Sequence, residues 1–372
     1  MSILSEKERR RLFPIFKRYI YLNTASTGII PEPSLAEMEK FLKRYRGESI
    51  HHDAETCKVM DILREKLGEI LGASPENIAL VFNTSFGINI AANGLSLKPG
   101  DKIVLPPDEF PANFYPWDVQ RNRGAEIFIT DGADEELFHV PGAKVVALSW
   151  VRFFDGFKFD IKKASEIAHK QSSYLCIDGI QGAGTLAANI EESGADTFSA
   201  GGQKWLLSPY GTGVFYIRKD TPIEPKFTGW LQRIALTGDY SSLRKYDLPL
   251  PDNATAFEAG TMPYHNLWAM LRSIEIIADI GIENIERHTT GLVESFIEQV
   301  SVLNVGIASE GGKRRSSIVA IEVPEPEIAF NALKEKRIIC ANREGKLRFS
   351  FHLYNNETDV ERTIAALGKV MK

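Results

Sequence analysis

The chain has 372 residues, 44% hydrophobic and 25% charged, the balance of a folded globular protein too long for one small module. Its net charge of −5 makes it a poor general binder of nucleic acid or anionic membrane, and no apolar run approaches the roughly 18 residues of a spanning helix. Three scattered cysteines, Cys57, Cys176 and Cys340, form no disulfide framework and suit a reducing, cytoplasmic setting, and the N-terminus lacks the pattern of a signal peptide.

Helical patterns over 34–44 and 55–71 open the chain. A strand over 78–82 follows, then a helix over 87–95, a strand over 102–105 and a helix over 113–123. Strands over 126–130 and 144–150, a helix over 161–171, and strands over 174–178, 196–199 and 213–218 complete this part. Several of the strands lack polar alternation, as strands buried on both faces do, so the pattern predicts an α/β fold with a mostly parallel central sheet. Near residue 220 the pattern changes. Residues 221–253 contain Pro222, Pro225, Pro249 and Pro251 and read as a long irregular excursion. Helices over 267–280 and 285–302, strands over 317–322 and 347–351, and a helix over 357–370 then predict a smaller α+β domain. The expected division is an N-terminal segment over 1–20 packing on the small domain, a large domain over 21–257 and a small C-terminal domain over 258–372.

Five segments carry chemistry. Thr84 and Ser85 open a helix after a strand, where free N–H groups and hydroxyls suit an anion. Phe110 lies in an aromatic loop after the next strand, placed to stack on a planar ligand. Asp178 ends an apolar strand and turns into Gly179-Ile-Gln181-Gly-Ala-Gly184, at the sheet edge where open α/β folds bind ligands. Lys204, between Gln203 and Trp205, has the apolar neighbours that depress an amine's pKa. Arg348 sits inside an apolar strand and needs a partner, typically a carboxylate. Each segment alone also admits a plain reading: a cap, a turn aspartate, a surface lysine, a satellite aromatic cluster, an internal ion pair. The glycines after Asp178 loosely match a dinucleotide fingerprint, but no acidic residue ends a second strand about 20 residues later. Taken together, the five are the parts that pyridoxal 5′-phosphate (PLP) needs to act on an amino acid. A lysine forms the Schiff base, an aspartate pairs with the ring nitrogen, a helix start holds the phosphate, an aromatic covers the ring and an arginine orients the substrate carboxylate.

The sequence resembles the fold-type-I PLP enzymes of the class V aminotransferase and cysteine desulfurase family over nearly its whole length, from Tyr21 to Asn355. The resemblance is strongest at Ile177-Asp178-Gly-Ile-Gln181 and Gly-Gly-Gln203-Lys204-Trp-Leu, with support from Phe257-Glu-Ala-Gly-Thr261 and Leu347-Arg348-Phe-Ser. It implies that Lys204 is the Schiff-base lysine, Asp178 the ring-nitrogen partner and Gln181 a hydrogen-bonding partner of the ring hydroxyl. It implies further that Thr84, Ser85 and Gln203 hold the phosphate, Phe110 stacks on the ring and Arg348 binds the substrate carboxylate. Thr261 is implied to reach the phosphate of a partner subunit, hence a homodimer with shared sites.

Three departures from the family pattern stand out. Gly201 replaces a phosphate-binding serine, Gln203 replaces a histidine, and Cys340 lies only eight residues before Arg348, without room for the long mobile loop that carries the desulfurases' nucleophilic cysteine. Arg343 is a further candidate near the site; His51, His52, His265 and His352 have no assigned role. Transamination ranks first among the expected reactions. A lyase eliminating a β-substituent, or a desulfurase-like enzyme, ranks second and an epimerase after it. A PLP-binding protein without turnover is the non-enzyme alternative.

Overall fold

The computed structural model describes residues 3–47, 54–234, 239, 241, 243–244 and 246–371. His51 and His52 lie outside the described residues. Among the described residues, no helix is long and apolar enough to cross a membrane, and no cluster of three or more His, Cys, Asp or Glu side chains could hold a metal ion.

A seven-stranded sheet organises the first part of the chain. Across it the strands run Ile78–Val81, Gly213–Ile217, Thr197–Gly201, Tyr174–Asp178, Ala143–Ser149, Lys102–Leu105 and Glu126–Ile129. Every pairing is parallel except the two made by Gly213–Ile217. The central strands are almost wholly buried, which is why their sequences read as continuous apolar runs; the edge strand Glu126–Ile129 leaves Phe128 and Ile129 exposed. Helices Thr84–Gly94 and Ile161–Lys170 are started by Asn83 and Asp160, whose side chains accept from the backbone N–H groups of Phe86 and Lys163. Helices Glu32–Gly47 and Ala54–Leu71 pack on the long helix Tyr264–Ile280.

The second sheet has four antiparallel strands in the order Ala341–Arg343, Lys346–Ser350, Ile318–Glu322, Gly306–Ile307. Helices Ile282–Val300, Pro326–Glu335 and Glu357–Val370 join its core, where Val319, Leu333, Phe296, Phe349, Phe351 and Leu367 are fully buried. Truncating such a phenylalanine to alanine costs about 3–5 kcal/mol. The helix Glu6–Leu12 starts with a capping box between Ser5 and Glu8, and its Arg9 bonds Asp359 at 2.6 Å. Phe13 and Phe16 pack on Tyr354, and Ile20–Tyr21 pairs in parallel with Ile338–Ile339.

Three of the differences from the expected elements have a clear physical reason. The helix predicted from residue 87 starts at Thr84, because Asn83 caps it there. The helix predicted over 113–123 is two pieces, Pro111–Asp118 and the 3-10 turn Val119–Arg123, with Pro116 removing a backbone donor inside the first and Gly124 closing the second at φ +87°. Asp196 precedes its strand; its carboxylate instead accepts from Leu175 N (2.7 Å), His169 Nε2 (2.8 Å) and the Arg218 guanidinium.

Candidate active site

Asp178 closes its strand at the carboxyl edge of the large sheet. Its Oδ1 accepts from Ile180 N at 3.0 Å, while Oδ2 is enclosed with no partner. Burial pushes this carboxyl up to about 6, against the hydrogen bond from Ile180 and the attraction of Lys204. Lys204 follows the neighbouring strand Thr197–Gly201 in a tight turn. The Tyr21–Gly28 stretch passes directly over that turn. Gly28 N donates to Gln203 O at 2.9 Å, and a Cβ at Gly28 would stand 1.9 Å from the Lys204 carbonyl oxygen, so only glycine fits. The Lys204 ammonium sits 5.5 Å from the centre of the Phe110 ring. Burial pushes the amine down to about 8; Asp178 opposes that shift, and the charges of Arg348 and Arg343 add to it.

Gln181 is locked in place: Nε2 donates to Ala25 O (3.1 Å), and Oε1 accepts from Trp205 Nε1 (2.8 Å), the residue after Lys204. At the start of helix Thr84–Gly94, Thr84 is buried and its Oγ1 accepts from Gly201 N at 2.8 Å, while Ser85 is exposed. The Gln203 amide occupies the space beside Gly201; a Cβ at 201 would come 2.4 Å from Gln203 Oε1.

Arg348 faces this edge from the second sheet and is 2% exposed. Its guanidinium donates to Phe153 O and to Ser26 Oγ (2.8 Å), and its Nε is enclosed without a partner. Burial pushes it down to about 10, so it stays charged at neutral pH. Phe153 also packs edge-on against Phe110, with ring centres 5.2 Å apart. Arg343 is exposed, and its charge is felt at both Lys204 and Arg348.

Sequence reasoning missed Glu109, Ser26 and Phe153. The Glu109 carboxylate accepts from Ser149 N (2.7 Å), Ser149 Oγ (2.6 Å) and Asn113 Nδ2 (3.1 Å), and Ser149 lies beside Asp178 in the sheet register. Burial pushes Glu109 up to about 7. The signal available was a carboxylate in a strand-end loop immediately before the aromatic. No local signal marks Ser26 or Phe153, which meet Arg348 only through the tertiary fold.

The remaining candidates stand apart. Cys340 is buried in the core of the second sheet, its thiol pushed up to about 12 by burial, and Cys176 lies enclosed within its strand. His352 is fully buried; Nδ1 accepts from Leu353 N (2.8 Å), so Nε2 carries the proton and donates to Trp205 O (2.8 Å). Burial pushes it down to about 4, so it is a neutral strut behind Lys204. His265 lies near Phe41, with ring centres 6.2 Å apart, and Thr261 is exposed.

The chain resembles known proteins over nearly its whole length. A Bacillus subtilis (strain 168) protein described as an uncharacterized aminotransferase, YcbU, is 24% identical over 96% of this chain and 96% of its own. The apo structure of a cysteine desulfurase from Thermococcus onnurineus NA1 superposes with a TM-score of 0.88 at 25% identity, covering 100% of this chain and 99% of that one. The cystine C-S lyase C-DES, solved with its reaction product cysteine persulfide, superposes with a TM-score of 0.86 at 21% identity, covering 96% of this chain and 99% of that one. The fold is that of the fold-type-I enzymes. The family model described as aminotransferase class-V matches residues 20–363, so the chain belongs to the class-V aminotransferase family.

Proposed function

We propose that this chain is a PLP-dependent enzyme that acts at the α-carbon of an amino acid and cleaves the carbon–sulfur bond of its side chain by elimination. The observation that carries the cofactor part of the reading, which elimination shares with transamination, is the pair at the sheet edge: a buried Asp178 with one carboxylate oxygen lacking a partner, beside a buried Lys204 whose amine is pushed down to about 8. A protonated ring nitrogen suits that oxygen, and a lysine partly neutral near pH 7 suits an aldehyde. The residues fit the group. Lys204 and Asp178 would hold it, Gln181 and Phe110 would serve its ring, and Thr84, Ser85 and Gln203 its phosphate end. When bound, the cofactor supplies an electron sink for the electrons left at the α-carbon.

The protein's own groups do the rest. Arg348 grips the substrate carboxylate with a guanidinium already held in line by Ser26 and Phe153. The Lys204 amine takes the α-proton, and its depressed pKa leaves part of it free to do so near neutral pH. Asp178 is ionised above about pH 6. The thiolate leaves with the electron pair of the C–S bond. With one water the net products are a thiol, pyruvate and ammonium from an S-substituted cysteine. No cysteine nucleophile is needed, consistent with the burial of Cys340 and Cys176.

The relatives' names divide between aminotransferase and C–S bond-cleaving enzymes, and transamination is the second reading. Thr261 reaching a partner's phosphate in a homodimer is part of the same proposal; its exposure supports it. The test loads purified protein with PLP and mixes it with a panel of amino acids, following absorbance, thiol, keto acid and ammonia. Equal yields of the last three support elimination. Conversion of the cofactor to its amine form with no thiol selects transamination, and inverted stereochemistry alone an epimerase. No spectral change with any amino acid defeats the enzyme reading.

A further inference from the structure

The strands Ala341–Arg343 and Lys346–Ser350 form a tight hairpin whose two turn residues, Glu344 and Gly345, have φ of 48° and 72°. Positive φ at both positions is the mark of a two-residue turn that holds register firmly. The register pairs Ala341 with Arg348, Asn342 with Leu347 and Arg343 with Lys346. Cross-strand partners share a face and alternate residues change face, so Ala341, Arg343, Lys346 and Arg348 lie on one side. Leu347, on the other side, is fully buried in the small core. Arg348 also pairs with Ala320 on its other flank, so an alanine on each neighbouring strand leaves the arginine uncrowded.

Three cations therefore share this face, and two are engaged. Lys346 reaches Glu322 at 3.6 Å, and Arg348 is held by Phe153 O and Ser26 Oγ. Arg343 is exposed and, among the described residues, makes no ion pair or side-chain hydrogen bond. It stands diagonally across the hairpin from Arg348, a separation of about 7–8 Å that long side chains bridge. Its charge acts on Lys204 as well as on Arg348. A substrate with a single carboxylate answers only one of the two guanidiniums.

We propose that the site takes an amino acid whose side chain carries a second carboxylate, with Arg343 as the specificity-determining residue that binds it. This rests on the reading of the site as an amino-acid site. Arg348 fixes one end of the substrate, Lys204 addresses the α-carbon, and Arg343 receives the far end at the open rim. A planar guanidinium pairs with a carboxylate through two parallel hydrogen bonds, and being exposed it is weakened by salt.

The test uses PLP-loaded protein and two substrate pairs nearly identical in shape but different in charge: L-glutamate with L-glutamine, and S-carboxymethyl-L-cysteine with S-carboxamidomethyl-L-cysteine. Binding is read by titrating the cofactor absorbance, and turnover separately. The acidic member of each pair is expected to bind roughly tenfold tighter, and Arg343→Gln to remove that preference while leaving affinity for the neutral member within about threefold. Equal affinity for both members, or a preference that survives Arg343→Gln, overturns the proposal. If the neutral and acidic compounds alike leave the absorbance unmoved, the amino-acid reading of the site falls first, and the specificity proposal with it.

Discussion

The large sheet and the small hairpin supply the two halves of the proposed site, and they treat charge in opposite ways. On the sheet side, burial pushes Asp178 up to about 6, Glu109 up to about 7 and Lys204 down to about 8. All three move toward neutral pH, where small changes in surroundings shift protons. On the hairpin side, Arg348 is nearly inaccessible yet stays charged, because a guanidinium starts so far above neutrality that burial lowers it only to about 10. In the proposed site, the groups assigned to proton exchange and the group assigned to the substrate are thus separated by element as well as by residue type.

The largest expected effect is on the sheet side. Lys204→Ala should abolish the absorbance of lysine-bound cofactor and lower turnover by roughly 10²–10⁴-fold. An unchanged spectrum would remove Lys204 from its role. On the hairpin side, Arg348→Ala should leave that spectrum intact and raise KM by roughly 30-fold or more, the about 2 kcal/mol or more lost when a buried charge pair is broken. A variant that lost cofactor and substrate together would erase the contrast between the halves.

That contrast was unevenly legible in the sequence. The strand over 174–178 and the helix over 357–370 were readable to the residue, because one is a continuous apolar run and the other opens on a capping residue, Asn356. Asp178, Lys204 and Arg348 stand at strand-linked positions with marked neighbours, and the structure brings all three to one edge. The Ala341–Arg343 strand was not foreseen, since three residues have no period to read, and with it the shared face of Arg343 and Arg348 stayed hidden. The helix Glu6–Leu12 was missed despite the Ser5-x-x-Glu8 signal before it. Glu109 carried a weak local signal; Ser26 and Phe153 carried none, because their role exists only where the N-terminal crossing and the Trp150–Phe157 turn meet Arg348.

A smaller effect separates stability from function on the sheet side. The Asp178 carboxyl binds its proton more tightly in the folded chain, at about 6, than its ordinary value of 3.8. Its contribution to stability is therefore full below about pH 4 and lost as pH rises to about 6. Asp178→Asn should match the wild type below about pH 4 and exceed it by roughly 1–2 kcal/mol at pH 8 in the cofactor-free protein, less than the full shift because Lys204 loses its partner. The same variant should bind PLP more weakly. Denaturant unfolding at the two pH values checks the first expectation, and a gain that did not grow with pH would show that Asp178 is not under strain from burial.

The smallest expected effect tests how far the hairpin side depends on its supports. Ser26 lies on the N-terminal stretch that crosses over Lys204, and its hydroxyl accepts from Arg348 at 2.8 Å. Phe153 O accepts from the same guanidinium, so losing Ser26 leaves Arg348 charged and partly held. Ser26→Ala removes one hydrogen bond, about 1 kcal/mol, and should raise KM roughly fivefold with kcat nearly unchanged. The proposed handling of the α-proton by Lys204 is not touched by this substitution. A fall in kcat without a rise in KM would mean that the crossing segment acts on the lysine turn and not on the arginine, and the division between the two halves would then fail at the one segment that touches both.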